Sequence, residues 1–193
     1  MAKPPPKRSV RGAGRRAIQR RYESAAEAGD GAAMLFLATK LAADDPAGAR
    51  AWFRRAAEAG NVPAMYIVGL FVEPHDPGGS RMWLERAAKG GHVDAMIKLG
   101  VLAQEAGDLT QARQLYERAA EAGSTIAMFN LGLLHEGSDP TVARGWYEKA
   151  AAKGDADAMF NLGRMVEADD PEAARALWER AAAAGQREAQ ERL

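Results

Sequence analysis

The sequence predicts an all-α fold, a solenoid of antiparallel helix pairs with about twelve helices. The first observation is a series of glycines spaced 31, 31, 32, 31 and 31 residues apart: Gly29, Gly60, Gly91, Gly123, Gly154 and Gly185. The second is a pair of adjacent alanines a few positions before every one of these glycines. The third is a methionine that follows each of the first five glycines and is itself followed three residues later by Leu or Val. A fixed period of this size is typical of solenoids.

Composition excludes several classes of function. The chain has 193 residues and no cysteine, which excludes disulfides, thiolate metal sites and a cysteine nucleophile. No apolar run approaches the roughly 20 residues that a membrane span needs. The N-terminus lacks the apolar segment of a secretory signal. We therefore expect a cytoplasmic protein without a membrane span.

Charge is distributed unevenly along a chain whose formal net charge is zero. Residues 1–21 contain eight of the 26 basic residues and none of the 26 acidic ones, so the rest of the chain is acidic. Residues 1–14 are basic and proline-rich, and we predict that they form a disordered tail. Residues 15–29 have a helical pattern, which we interpret as an N-terminal capping helix.

Residues 30–185 are predicted to form five repeats of about 31 residues, each a helix pair. The methionine of each first helix shares a face with the Leu or Val three residues later. The next residue is a glycine in four repeats: Gly69, Gly100, Gly132 and Gly163. Because glycine inside a helix costs about 1 kcal/mol relative to alanine, we expect close helix packing at this position.

The second helix of each repeat begins at an aspartate, a preferred N-cap residue. The five caps are Asp45, Asp76, Asp108, Asp139 and Asp170. Large residues predicted to be core follow at Phe53, Leu84, Tyr116, Tyr147 and Trp178. Pairs of Arg and Glu four residues apart indicate a solvated face; they are Arg81–Glu85, Arg113–Glu117, Arg144–Glu148 and Arg175–Glu179.

Two further segments differ from the regular repeats. Residues 186–193 begin one more first helix with polar substitutions, and we interpret them as a C-terminal capping segment. The loop Glu73–Ser80 is rich in Pro and Gly, and its repeat is predicted to be the least regular.

The repeat is clearest at Ala127-Met-Phe-Asn-Leu-Gly132, at the Gly107-Asp108 turn, and at Trp146-Tyr-Glu-Lys149 before an alanine pair. In these features the chain resembles the tetratricopeptide repeats, and most closely their Sel-one-like subfamily, over about residues 15–193. Its units are shorter than typical Sel-one-like repeats because the Gly-rich loop between the helices is missing. The resemblance implies a right-handed helical solenoid with a concave groove that holds other proteins or peptides.

No residue pattern predicts catalysis. The sequence contains no nucleophile-elbow, Walker or dinucleotide-binding motif. The histidines lie in different repeats and no cysteine is available, so a metal site is not expected; they are His75, His92 and His135. We predict no enzyme activity, no cofactor and no metal.

The best candidate site is a stripe on the first helices, because this helix lines the concave side in the family that the chain resembles. The residue after each methionine, the residue four further on, and the residue three beyond that share one helix face. The predicted groove has an apolar floor and an acidic margin, and it includes the asparagine that follows each of the two phenylalanines. Its residues are Tyr66, Leu70, Glu73, Ile97, Val101, Phe129, Asn130, Leu133, Glu136, Phe160, Asn161, Arg164 and Glu167. Alternatively, the aromatic residues only pack between neighbouring repeats.

The leading functional hypothesis is a protein-binding adaptor. A basic or amphipathic peptide would place its apolar anchors on the aromatic residues and its cations near the glutamates. The alternative is that the basic N-terminal arm, residues 1–21, binds nucleic acid or an anionic surface, with the solenoid as a tether. In a third hypothesis the arm docks on the acidic body of the same or another copy, which would give autoinhibition or self-association. For the oligomeric state we expect a monomer or weak self-association.

Overall fold

The computed structural model describes residues 20–193, which form twelve α-helices and no strand. Helix α1 comprises residues 20–27 of the described chain. The others are α2 (Gly31–Leu41), α3 (Pro46–Glu58), α4 (Val62–Val72), α5 (Pro77–Lys89), α6 (Val93–Glu105), α7 (Leu109–Glu121), α8 (Thr125–His135), α9 (Pro140–Ala152), α10 (Ala156–Val166), α11 (Pro171–Ala183) and α12 (Arg187–Glu191). The predicted class, an all-α fold of helix pairs, is confirmed. The predicted tail and the first part of the predicted capping helix lie outside the described residues.

The second helices begin at the predicted aspartates. In each, the carboxylate accepts a hydrogen bond of 2.8–3.1 Å from the backbone N–H three residues later. Each of these five helices is 13 residues long. The repeat with the loop Glu73–Ser80 was expected to be the least regular. That expectation was wrong for its second helix, because Asp76 caps α5 in the same way as the other aspartates cap theirs.

The second helices end at the recurring glycines, whose φ values lie between 90° and 97°. This left-handed conformation is readily available only to glycine, and it allows the next residue to bond back to the helix. At Gly60, for example, the N–H of Asn61 donates to the carbonyl of Ala56 at 3.0 Å. The side chain of Asn61 then accepts from the N–H of Ala64 at 3.0 Å and so caps α4. One short turn thus ends one helix and starts the next.

The glycines inside the first helices allow close packing, as expected. A Cβ built on Gly100 would lie 2.8 Å from Cδ1 of Tyr116, which is too short for two non-bonded carbon atoms. The large second-helix residue therefore occupies the space that the glycine leaves. The same contact joins four pairs: Gly69–Leu84, Gly100–Tyr116, Gly132–Tyr147 and Gly163–Trp178.

The contacts divide the chain into two compact units. The first unit, Met1–His92, contains α1 to α5 in its described part. Within it α2 packs on α3, α3 on α4, and α4 on α5. Helix α1 contacts α2 through Tyr22, whose ring stacks on Phe36 with the centroids 3.9 Å apart. The methionines of α2 and α4 and their Leu or Val partners are buried.

The second unit, Val93–Leu193, contains α6 to α12. Each helix packs on the next in sequence, and α8 also contacts α10 directly. Tyr116 of α7 and Tyr147 of α9 are among the largest fully buried side chains. The first helices α8 and α10 therefore lie side by side, and α9 packs on both of them. Within residues 20–193, no helix combines the length and the apolar character that crossing a bilayer requires.

Candidate functional site

Three of the predicted groove residues belong to the first unit. Tyr66 and Leu70 lie one turn apart on α4, and Glu73 follows the last residue of that helix. Leu70 is 39% exposed, whereas Tyr66 is half-buried and its ring stacks on His92 with the centroids 4.4 Å apart. Glu73 is also half-buried. Leu70 is thus the accessible apolar side chain of this set, and Tyr66 contributes to packing.

The remaining predicted groove residues belong to the second unit, where α8 carries the most exposed apolar surface. Ile126, Phe129 and Leu133 share one face of α8 through spacings of three and four residues, and we call them the α8 stripe. Ile126 is 55% exposed and Leu133 is 42% exposed. Phe129 is half-buried, with its ring centroid 5.8 Å from that of Tyr147.

Ile126 was missing from the predicted set. Its signal in the sequence is an apolar side chain seven residues before Leu133, at a position where the other repeats have smaller or charged residues. Those residues are Ala32, Pro63, Asp94 and Asp157. Ile97 and Val101 on α6 and Asn130 on α8 are half-buried.

A polar cluster joins the C-terminal part of α8 to α9 and α10. The Tyr147 hydroxyl donates to Oε2 of Glu136 at 3.4 Å and also hydrogen-bonds the side chain of Asn161. Arg164 donates from Nη1 to Oδ1 of Asn161 at 3.3 Å, and its Nη2 lies 4.0 Å from Oε1 of Glu136. Asn161 is buried. These four residues, which we call the polar cluster, therefore place the carboxylate of Glu136 beside the α8 stripe.

The tyrosine in this cluster is neutral. Burial raises the pKa of Tyr147 to about 12, and the negative charge of Glu136 adds to the effect. Burial and then the charge of Glu105 also raise the pKa of Tyr116, whose hydroxyl donates to Oε1 of Gln104 at 3.2 Å. In two successive repeats a buried tyrosine thus hydrogen-bonds a polar residue at the C-terminal end of the first helix, Gln104 in one and Glu136 in the next. The sequence pattern predicted these tyrosines only as core.

The acidic margin of α10 is also paired within the chain. Glu167 accepts a hydrogen bond of 2.9 Å from Nη1 of Arg192, whose guanidinium lies 4.9 Å from the ring centroid of Trp178. Phe160 is half-buried, and its carbonyl accepts from Nε1 of Trp178 at 3.2 Å. The Arg192–Glu167 pair is about half exposed. Such exposed pairs contribute up to about 1 kcal/mol, so this pair holds Glu167 only weakly.

The structure therefore brings one part of the predicted groove together and gives its members different roles. Phe129 and Leu133 of α8 lie beside the polar cluster that Glu136 shares with α10. Phe129 contacts Tyr147 of its own helix pair, and Tyr66 stacks on His92, which follows α5. The packing alternative had placed the aromatic residues between neighbouring repeats, and it stays an alternative. Among residues 20–193, no group of three or more His, Asp or Glu side chains is placed to hold a metal ion.

Comparison with protein families gives matches along most of the chain. The family model described as Sel1 repeat matches five segments, residues 32–61, 64–92, 93–124, 125–155 and 156–186. No curated protein sequence matches the chain significantly.

Several solved structures have a similar fold. A Sel1 repeat protein from Oxalobacter formigenes is 29% identical with a TM-score of 0.77, over 86% of this chain and 78% of that protein. A protective antigen of uropathogenic Escherichia coli with an SLR fold is 28% identical with a TM-score of 0.75, over 85% of this chain. The chain spans only 40% of that antigen's length. YrrB, described as a TPR protein with an unusual peptide-binding site, is 20% identical with a TM-score of 0.56, over 85% of this chain and 92% of YrrB. At that identity the likeness concerns the fold alone.

Proposed function

Because the chain belongs to the Sel1 repeat family, we propose that it is a protein-binding module that holds a peptide or protein segment against the first helices of its repeats. Helical repeats of this class generally serve protein–protein interaction through extended surfaces, and they are typically non-catalytic. The observation that carries the proposal is the α8 stripe, an apolar strip with two exposed residues beside the polar cluster.

The α8 stripe has the properties of an anchor site. Burying an apolar side chain of this size contributes about 1.5–3 kcal/mol relative to leaving it exposed. Ile126 and Leu133 are both more than one-third exposed, so each has apolar surface left to bury against a partner. Helix α8 is held against α9 by the contact between Gly132 and Tyr147. A ligand would therefore meet a preorganised surface and would not have to order it.

The charged residues beside the stripe define the chemistry of the ligand. The hydrogen bond from Arg192 to Glu167 illustrates how a basic side chain of a ligand could bind a glutamate at this margin. The exposed ion pair between Arg164 and Glu136 is long, at 4.0 Å, so Glu136 can also accept from a ligand. We infer that the ligand is an amphipathic segment with apolar anchors for Ile126 and Leu133 and at least one basic residue. YrrB, described as having a peptide-binding site, is a precedent for the fold and not for these residues.

The test compares one variant on the stripe with one away from it. Ligands would be selected from a phage-displayed peptide library against the full chain, and their affinities measured for wild type, Leu133→Glu and Leu109→Glu. Leu109 begins α7 and is 53% exposed, so the control makes the same change at a similarly exposed site. We expect Leu133→Glu to weaken binding by about tenfold or more, a typical loss for an interface anchor, and Leu109→Glu to leave it unchanged.

Circular dichroism would establish that both variants keep their helices. If folded Leu133→Glu and Ile126→Glu variants bind the selected peptides as tightly as wild type does, the α8 stripe is not the binding surface.

A further inference from the structure

The second helices repeat an ion pair that is missing from one of them. In four repeats an arginine pairs with a glutamate four residues later: Arg81–Glu85 at 3.0 Å, Arg113–Glu117 at 4.0 Å, Arg144–Glu148 at 2.9 Å and Arg175–Glu179 at 3.2 Å. In α3 the same two positions hold Arg50 and Arg54. Like charges at this spacing disfavour a helix. The replacement of the acidic residue by Arg54 therefore acts against the stability of α3.

Neither arginine is neutralised elsewhere in the described chain. Arg50 and Arg54 are exposed, and neither guanidinium group has a hydrogen-bond or ion-pair partner among residues 20–193. Glu58 lies four residues after Arg54 but forms no ion pair with it there. Two guanidinium groups are therefore left available on one face of α3.

The two arginines border a cavity of about 530 Å³ within the first unit. Its apolar lining comes from Ala47 and Ala51 of α3 and from Phe71 and Val72 of α4. His75, in the loop after α4, completes the described lining, which contains no acidic residue. The volume lies in the range of pockets that take small ligands or side chains.

His75 is a second departure from the repeat pattern at the same cavity. The other four repeats place Asp44, Ala106, Ser138 and Asp169 at the corresponding position. His75 is exposed, and its imidazole has no hydrogen-bond or ion-pair partner in the described part of the chain. Two departures from the repeat pattern, Arg54 and His75, thus meet at one apolar cavity although they lie on different helix pairs.

We propose that this cavity, the α3–α4 pocket, binds an acidic peptide segment of a partner protein. A carboxylate of the segment meets Arg50 and Arg54, whose guanidinium groups present paired donors that match its two oxygens. A neighbouring apolar side chain of the segment packs on Ala51 and Phe71. The described chain contains more acidic than basic residues, which repels a long polyanion such as nucleic acid. A short acidic segment meets only the local positive charge. The pocket is separate from the α8 stripe, and the inference does not depend on the role of that stripe.

The test uses two fluorescein-labelled peptides, one of alternating glutamate and leucine and one with lysine in place of glutamate. Fluorescence anisotropy with the full chain is expected to show binding of the acidic peptide only, weakened by added salt. Arg54→Glu restores the ion pair of the other repeats, so it should keep or raise the melting temperature while lowering the affinity by about tenfold or more. Arg180→Glu on α11 makes the same change of charge away from the pocket and should leave the affinity unchanged.

Three results would overturn the proposal. One is the absence of binding by the acidic peptide. Another is binding of the acidic peptide that Arg54→Glu leaves intact, or that Arg180→Glu weakens as much as Arg54→Glu does. Either outcome would assign the binding to the general charge of the chain or to the basic arm. The third is a single-stranded oligodeoxythymidine that binds more tightly than the peptide and loses its affinity in Arg54→Glu, because the pocket would then be a nucleic-acid site.

Discussion

Replacing Gly132 by alanine is expected to destabilise the protein although alanine is the better helix former. Gly132 lies in α8 against Tyr147, and an added Cβ would lie 2.8 Å from Cζ of that ring and 2.5 Å from Cδ1. Tyr147 is fully buried and its hydroxyl is held by Glu136. The ring therefore cannot move aside without loss of packing and of a hydrogen bond.

The magnitude follows from two opposing terms. Helix propensity favours alanine over glycine by about 1 kcal/mol. Overpacking a filled core costs typically about 1–3 kcal/mol, and the upper end applies here because the obstacle is a fixed ring. The expected net loss in the free energy of unfolding is therefore about 2 kcal/mol. For a chain of this size that loss lowers the melting temperature by about 4–8 °C.

The chain offers a matched control in Gly145 of α9. A Cβ at Gly145 would meet nothing within 4 Å, so Gly145→Ala should retain the propensity term and raise the melting temperature by about 2–4 °C. Thermal and urea unfolding followed by far-ultraviolet circular dichroism would measure both variants. A Gly132→Ala variant as stable as wild type, or shifted in the same direction as Gly145→Ala, would refute the reasoning that the Tyr147 ring excludes a side chain.

Three further changes test other contacts. The hydroxyl of Ser80 is buried without a partner among the described residues, so Ser80→Ala should raise the free energy of unfolding by about 1 kcal/mol and Ala112→Ser should lower it similarly in urea titrations; equal stabilities would contradict this. Asp139→Ala removes the cap on Val142 and should cost about 1 kcal/mol by the same assay. Unfolded Tyr147 loses its proton near its ordinary pKa of 10, whereas the folded pKa is about 12, so the unfolded state binds fewer protons between these values. Stability should therefore fall by up to about 1.4 kcal/mol per pH unit in that window. Tyr147→Phe should lack this part of the fall, and parallel pH profiles for the two proteins would show that Tyr147 does not cause it.

Local features of the fold were predictable because each depends on residues within one turn or one loop. An aspartate such as Asp108 caps its helix whatever the rest of the chain does, and Gly123 supplies a positive φ that other residues avoid. The internal glycines were predictable for a related reason. A residue as unfavourable in a helix as Gly132 needs compensation, and close packing was the simplest one.

Contacts between side chains on different helices were not predictable in the same way. The link from Tyr147 to Glu136 and Asn161 depends on the register of three helices and on the rotamer of each side chain. Arg192 reaches Glu167 across 25 residues of sequence, and no local pattern indicates that pairing. The use of the first-helix surface as a binding groove stays a prediction, now centred on Ile126 and Leu133.

One part of the α3–α4 pocket was predictable from the sequence and another part was not. The replacement of an acidic residue by Arg54 is visible in the sequence as a break in a repeated pattern. The sequence does not show whether a neighbouring helix supplies the missing negative charge. The structure shows a cavity lined by His75 and apolar side chains at that place instead.

The contacts between helices adjacent in sequence also affect how easily the number of repeats can change during evolution. In the second unit almost every helix contact joins consecutive helices, and each junction is built from the same parts. A capped start, a glycine at positive φ and a glycine-to-ring contact recur at every step. Because few distant segments must meet, a helix pair can form with little loop-closure entropy. Duplication or excision of one whole period would join ends that already fit each other, which makes the number of repeats easy to change during evolution.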